Sequence, residues 1–156
     1  MKIFVVAALG ICAFAASVLA QPQQSLPRVV QGAIQDMLEG CEPERSVLKT
    51  GFVVAKDING DGRKDYIVNY GGLQCGNDPN AYCGTGGCRT QVFASLRDGT
   101  YAKVLDDNVR DVRFTRVKGR RPAMVLSVHG SECGRMGASR CIQTLFWNGY
   151  EFKPAK

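Results

Sequence analysis

The stretch "DINGDGRKDYIV", residues 57–68, places a carboxylate or an amide at alternate positions of a glycine-containing turn and then continues as a hydrophobic strand. Carboxylates crowded in this way repel one another unless a cation offsets their charge. Calcium is such a cation, since it takes about six to eight oxygen ligands. Gly60 and Gly62 permit the backbone angles that a tight wrap requires. The pattern therefore predicts a calcium loop. Its predicted ligands are the side chains of Asp57, Asn59, Asp61 and Asp65 and the main-chain carbonyl of Arg63.

The residues around this loop distinguish it from an EF-hand. An EF-hand needs a bidentate glutamate at its twelfth position, which here is Val68. Flanked by strand-like segments, the loop resembles the calcium loop of the FG-GAP and VCBS repeat families, D-x-N-G-D-G-x-x-D followed by apolar residues. The resemblance covers residues 51–70 in a single copy, and it implies that the four side chains bind calcium. The alternative is a polar Asx-type turn that joins two strands without a metal.

The first twenty residues, "MKIFVVAALGICAFAASVLA", have the pattern of a secretory signal peptide cleaved after Ala20. A lipoprotein processed at Cys12 is disfavoured, because Ile11 precedes it where a small residue is normally required. No other segment approaches the ~20 apolar residues that span a bilayer. We therefore expect a single domain, residues 21–156, located in the periplasm or secreted.

The cysteines indicate an oxidising compartment. Apart from Cys12, the chain has an even number of them, which in an exported protein favours disulfides over a zinc site. The short loops "CGTGGC" and "CGRMGASRC" favour local closure, and the remaining two cysteines would then form the third bond. The predicted pairs are Cys41 with Cys75, Cys83 with Cys88, and Cys133 with Cys141. These pairs remain one choice among about 15 that six cysteines allow.

Periodicity predicts one helix followed by strands. "SLPRVVQGAIQDMLEGC" has apolar residues at helical spacing, with Ser25 as a plausible cap, Pro27 in the first turn and Gly40 as the stop. From residue 51 the chain alternates as strands do, and Asp98-Gly99 and Asn148-Gly149 are typical hairpin turns. The predicted fold class is α+β: an N-terminal helix packed on an antiparallel meander of about four hairpins, braced by disulfides.

Charge is moderately basic, with a net value of +6. Such a surplus suits an anionic envelope polymer, although it is also common on inert proteins. The basic residues from Arg110 to Arg121 divide between the faces and the turn of a strand pair, so they are either a solvated rim or a docking patch. Aromatic residues do not interleave with them as in a nucleic-acid platform.

Catalytic motifs are weak in this sequence. The only histidine, His129, lies beside Ser131 and Glu132 but without a G-x-S-x-G motif, so a structural role is favoured. The carboxylates Asp106, Asp107, Asp111, Glu132 and Glu151 could serve a hydrolase, but spacing alone does not choose among them.

These patterns predict a calcium-binding, disulfide-stabilised binding or structural module of the bacterial envelope, without catalysis, whose partner would be an anionic envelope polymer or a protein. One alternative is a small secreted hydrolase that uses loop carboxylates. Another is a proteinaceous inhibitor that presents a braced loop, residues 75–88 or 133–141, to an enzyme.

Overall fold

A computed structural model describes residues 25–116 and 121–155. The expected signal peptide, residues 1–20, lies outside the described residues. The described chain has one α-helix, α1 (Arg28–Glu39), and is otherwise mostly β. The strands are β1 (Ser46–Leu48), β2 (Val53–Lys56), β3 (Asp65–Asn69), β4 (Leu73–Cys75), β5 (Cys83–Gly84), β6 (Gly87–Ser95), β7 (Tyr101–Val109), β8 (Asp111–Arg116), β9 (Pro122–Val128), β10 (Cys141–Trp147) and β11 (Phe152–Lys153). Two 3-10 turns, Tyr70–Gly72 and Gly130–Cys133, precede β4 and β10.

The described strands form three antiparallel sheets. The first pairs β1 with β4, and the third has the order β11-β10-β9-β8. In the second, β6 is central: it pairs with β7 along one edge and with β3 and β5 along the other, while β2 extends the sheet beyond β3. The predicted hairpins β2–β3, β6–β7, β8–β9 and β10–β11 all form.

The predicted fold class, α+β with a helix on one antiparallel meander, is wrong. A meander pairs each strand with the next one along the chain, but β4 returns to β1 and β3 pairs with the more distant β6. The chain also leaves the second sheet for the third at Arg110, the one residue between β7 and β8. Strands that switch sheets at a bend in this way build two packed sheets instead of one.

Two buried clusters fill the space between these layers. Along β3 and β6, neighbouring residues face opposite sides, as the period of a strand requires. Val68 and Phe93 belong to the first cluster, whereas Val92 belongs to the second. The second cluster also includes Ile58 from the acidic loop, so this loop is anchored in a core.

The helix α1 lies against the first cluster, whose strand residues come from two sheets. Val30 is fully buried there, and Ala33, Ile34, Met37 and Leu38 pack beside it. Pro27, not Ser25, is the N-cap, and it has no side-chain capping bond. Gly40 ends the helix where Tyr82 approaches: a Cβ at Gly40 would lie 2.7 Å from the Tyr82 hydroxyl, which donates to the Met37 carbonyl at 2.5 Å.

Candidate functional site

The acidic loop, residues 57–65, is built around the carboxylate of Asp65. This residue begins β3 and is fully buried. Its Oδ2 accepts hydrogen bonds from the backbone N–H groups of Ile58 at 2.7 Å and Asn59 at 3.3 Å. Its Oδ1 accepts from the N–H of Ser95 at 2.7 Å. Asp65 thus ties the start of the loop to the end of β6.

Ser95 is the point on which several polar groups of the loop converge. Its Oγ lies 2.7 Å from Asp65 Oδ1 and 2.8 Å from Asp61 Oδ2, and its carbonyl accepts from Asn59 Nδ2 at 2.9 Å. A hydroxyl has one proton and can donate it to one of the two carboxylates. The other contact therefore brings two oxygen lone pairs together, and the nearest donors are the Asn59 amide, 3.4 Å from Ser95 Oγ and 3.5 Å from Asp61 Oδ2, and the Arg63 guanidinium.

Asp61 carries the most cationic contacts of the loop. Its Oδ2 accepts from the Arg63 guanidinium at 3.2 and 3.1 Å, and its Oδ1 accepts from the Arg63 N–H at 2.8 Å. Partial burial raises the pKa of Asp61, but the hydrogen bonds from Arg63 and Ser95 and the charge of Arg63 outweigh it, so the pKa lies below its usual range. Asp61 is therefore ionised at neutral pH, and Arg63 supplies part of the compensating charge.

Asp57 occupies the other side of the loop. Its carboxylate accepts from the N–H groups of Gly60 at 2.6 Å and Gly62 at 3.1 Å, and it lies 3.7 Å from Arg116 Nη2. Both glycines have φ +83°, a left-handed conformation that residues with a Cβ resist. The prediction that these two glycines permit the wrap is confirmed.

Three observations bear on whether the loop fits a calcium ion. The side chains of Asn59 and Asp61 each accept a hydrogen bond from the N–H two residues ahead, at 3.0 and 2.8 Å. These are the Asx-type turns that the alternative hypothesis, a polar turn without a metal, requires. In residues 25–116 and 121–155, no three His, Cys, Asp or Glu side chains are grouped so that they could hold a metal ion. The oxygens that do converge are those of Asp61, Asp65 and Ser95, which match the hard donors that calcium prefers. The full ligand set that includes Asp57 and the Arg63 carbonyl stays a prediction.

The three predicted disulfides are present. Cys41 bonds to Cys75, Cys83 to Cys88 and Cys133 to Cys141, which confirms the predicted pairing. The first links the turn that follows α1 to β4, and the second joins the paired strands β5 and β6.

The guanidinium of Arg110 joins the two loops that carry the local disulfides. It donates to the carbonyl of Thr85 at 3.2 and 3.1 Å and to the carbonyl of Gly137 at 2.6 Å. Weaker contacts reach the carbonyls of Ala138 and Ser139. Part of the basic stretch thus has a structural role inside the fold.

His129 begins the loop that Cys133–Cys141 closes. Its Nδ1 lies 2.7 Å from Ser131 Oγ, and Gly137 packs so closely on the ring that a Cβ there would lie 2.4 Å from Nε2. Among the described residues no carboxylate is hydrogen-bonded to this imidazole. The pair is therefore without the acidic group that orients the base in a Ser-His-Asp triad.

The carboxylates considered for hydrolysis are mostly bound to cations. Asp106 lies 2.5 Å from Lys103 Nζ and 2.8 Å from Arg89 Nη2, and Asp111 lies 2.8 Å from Arg113 Nε. Burial raises the pKa of Asp106. Hydrogen bonds from Lys103 and Gln91 and the charges of Lys103 and Arg89 lower it by more than this, so the pKa lies below its usual value. A general acid needs the opposite shift.

A groove with a volume of about 420 Å³ adjoins the acidic loop. Sequence reasoning missed it, because its walls come from segments that are far apart along the chain. Its lining residues are Asn59, Gly60, Asp61, Ser95, Arg97, Arg121, Pro122, Trp147, Asn148 and Gly149. The acidic loop and the end of β6 therefore form one wall, and the start of β9 and the β10–β11 turn form the other.

The chain matches none of the family models, curated proteins or solved structures with which it was compared. The likeness of residues 51–70 to FG-GAP and VCBS calcium loops therefore stays a prediction. Within the described ranges no helix is long and apolar enough to cross a membrane. The side chains of the acidic loop and the groove are the basis for inferring a function.

Proposed function

We propose that this chain is an exported binding module of the bacterial envelope, periplasmic or secreted, in which the acidic loop takes up one calcium ion that stabilises the fold. The observation that carries the calcium part is the convergence of Asp61 and Asp65 on the single hydroxyl of Ser95. Two carboxylates compete there for one proton, and a cation that accepts lone pairs from all three oxygens would relieve the competition.

The disulfides support the exported location, since such bonds persist in oxidising compartments and are rare in the cytosol. A binding role suits the site better than catalysis does, because the ionised carboxylate Asp61 and the paired carboxylate Asp106 have lowered pKa values. The ion would act on stability: a ligand that binds the folded state alone shifts unfolding by mass action.

Arg63 supplies a competing explanation for the stability of the loop. Its guanidinium already contacts Asp61, and it also donates to the carbonyl of Leu96. If Arg63 alone neutralises the loop, then calcium adds nothing. If calcium binds, the ion and the guanidinium compete for Asp61, and removal of the guanidinium increases the effect of calcium.

The test compares thermal unfolding of the mature protein in calcium and in chelator. Calcium at about 100 times its dissociation constant should raise the melting temperature by roughly 5–10 °C. Asp61→Ala should abolish this difference, Arg63→Gln should enlarge it, and the control Asp111→Ala should leave it unchanged. Identical melting curves for the unaltered protein, together with an Arg63→Gln variant that calcium does not rescue, would assign the charge balance to Arg63 and overturn the calcium site.

A further inference from the structure

We propose that the groove beside the acidic loop binds an anionic saccharide, that is, a sugar ring that carries a carboxylate or a phosphate group. This inference rests on the binding part of the proposed function and names its ligand class, but it does not require calcium. The volume of about 420 Å³ falls in the range of about 300–1,000 Å³ that is usual for small-molecule sites. A sugar unit or a pair of units is of that size.

The charge of the lining favours an anion. Arg97 and Arg121 both line the groove and are exposed. Within the described ranges neither is paired with a carboxylate, whereas Arg63, Arg89, Arg113 and Arg116 all are. The one acid in the wall, Asp61, is already bound to Arg63.

Two guanidinium groups at one groove suit a planar carboxylate or a phosphate, because each can donate two parallel N–H bonds to such a group. An uncharged saccharide would leave both charges without a partner. The groove should therefore discriminate by charge before it discriminates by the details of the sugar.

The opposite wall has the features that a sugar ring needs. Trp147 lines the groove and is supported from behind by Phe152, with ring centroids 5.0 Å apart. An indole offers an apolar face with a polar edge, which suits the C–H face of a sugar. Asn148 also lines the groove, and its Oδ1 accepts hydrogen bonds from the N–H groups of Tyr150 and Glu151, both at 3.0 Å, which hold this amide in place beside Trp147.

The two walls are in contact at Gly60. A Cβ at this position would lie 3.2 Å from Arg116 Nη2 and 3.4 Å from Pro122 Cγ. The third sheet therefore packs on the acidic loop where the groove begins. Order in the loop fixes the position of one wall, so the site is formed before a ligand arrives, which reduces the cost of binding.

The test uses Trp147, the only tryptophan in the chain, as an internal probe. Its fluorescence is followed while trigalacturonate, glucose 6-phosphate or the neutral control maltotriose is added, and each titration is repeated by calorimetry. We expect saturable changes with the anionic sugars and none with maltotriose. The stronger of the two anionic sugars identifies carboxylate or phosphate as the group recognised.

Variants locate the site. Arg97→Gln combined with Arg121→Gln should weaken the anionic sugar by at least about tenfold, as loss of one charge-assisted hydrogen bond requires. The matched control is Arg113→Gln, which removes an exposed arginine that does not line the groove and should change the affinity by less than about twofold. Melting curves of each variant establish that it is folded.

Three outcomes overturn the proposal: no heat and no fluorescence change with any anionic sugar, equal binding of maltotriose, or equal weakening by Arg113→Gln and by the double variant. Repetition in chelator separates the two proposals. If sugar binding persists in chelator and calcium does not change the melting temperature, the sugar-binding proposal is supported and the calcium proposal is overturned. If calcium raises the melting temperature but no sugar binds, only the sugar-binding proposal is overturned.

Discussion

The acidic loop, residues 57–65, and the loop of residues 129–140 both connect neighbouring antiparallel strands, β2 to β3 and β9 to β10. They are held by opposite chemistry. In the acidic loop, backbone N–H groups are satisfied by the carboxylates of Asp57, Asp61 and Asp65. In the second loop, backbone carbonyls are satisfied by the guanidinium of Arg110, and a disulfide closes the chain.

In each loop, side chains of one charge bind the backbone groups of opposite polarity: carboxylates bind N–H groups in the acidic loop, and a guanidinium binds carbonyls in the second loop. A wrap whose N–H groups point inwards collects anions, and a wrap whose carbonyls point inwards collects a cation. The first arrangement accumulates negative charge and so responds to cations, whereas the second depends on a covalent bond and one arginine.

Asp65→Asn should have the largest effect. The amide keeps one acceptor, but its NH₂ group must face either the N–H groups of Ile58 and Asn59 or those of Ser95. Buried donors without an acceptor cost about 1–3 kcal/mol each, so we expect a loss of about 3–4 kcal/mol in the free energy of unfolding, measured by urea denaturation.

The control for this change is Asp111→Asn, which removes the same charge from a half-exposed ion pair with Arg113. Its expected cost is below about 1 kcal/mol. Equal losses in the two variants would mean that net charge, and not the bonds to the loop backbone, decides the stability of the acidic loop.

Removal of the bond between Cys133 and Cys141, by replacing both residues with serine, should have an intermediate effect. The bond closes a separation of 8 residues, for which chain entropy predicts about 2.5 kcal/mol. Amide hydrogen exchange should speed up in the second loop and stay unchanged at Ile58 and Asn59. Faster exchange in both loops would show that they do not unfold independently.

Local features of the fold could be predicted from the sequence. Asp98-Gly99 and Asn148-Gly149 mark hairpins because a tight turn that contains glycine is decided within a few residues, and both glycines have positive φ. The cysteine pairs followed because two of them enclose short loops. The assembly of hairpins into sheets did not follow, because β3 pairs with β6 across an insertion, residues 70–86, in which β4 pairs back with β1.

The candidate site was predictable to the same extent. The alternation of acids in residues 57–65 is local, so the loop was found. Ser95 was missed, because it reaches Asp65 through the register that sets Tyr66 against Phe93, and nothing near residue 95 signals this contact. Arg110 was read only as one member of a basic stretch, since its four carbonyl partners belong to two loops that lie before and after it.

Arg110→Lys should have the smallest effect of the three on global stability and the most local one. An ammonium group can keep a contact with Thr85 or with Gly137, but it cannot reach both loops at once as the planar guanidinium does. We expect about 1 kcal/mol of destabilisation, as for the loss of one or two exposed hydrogen bonds. Hydrogen exchange should accelerate around residues 84–86 and 137–139 together, because one side chain holds both segments. Arg113→Lys, two residues along the chain and paired with Asp111, should leave both segments as they are. Acceleration in the second loop alone would show that its own disulfide, and not the bridge through Arg110, keeps residues 84–86 in place.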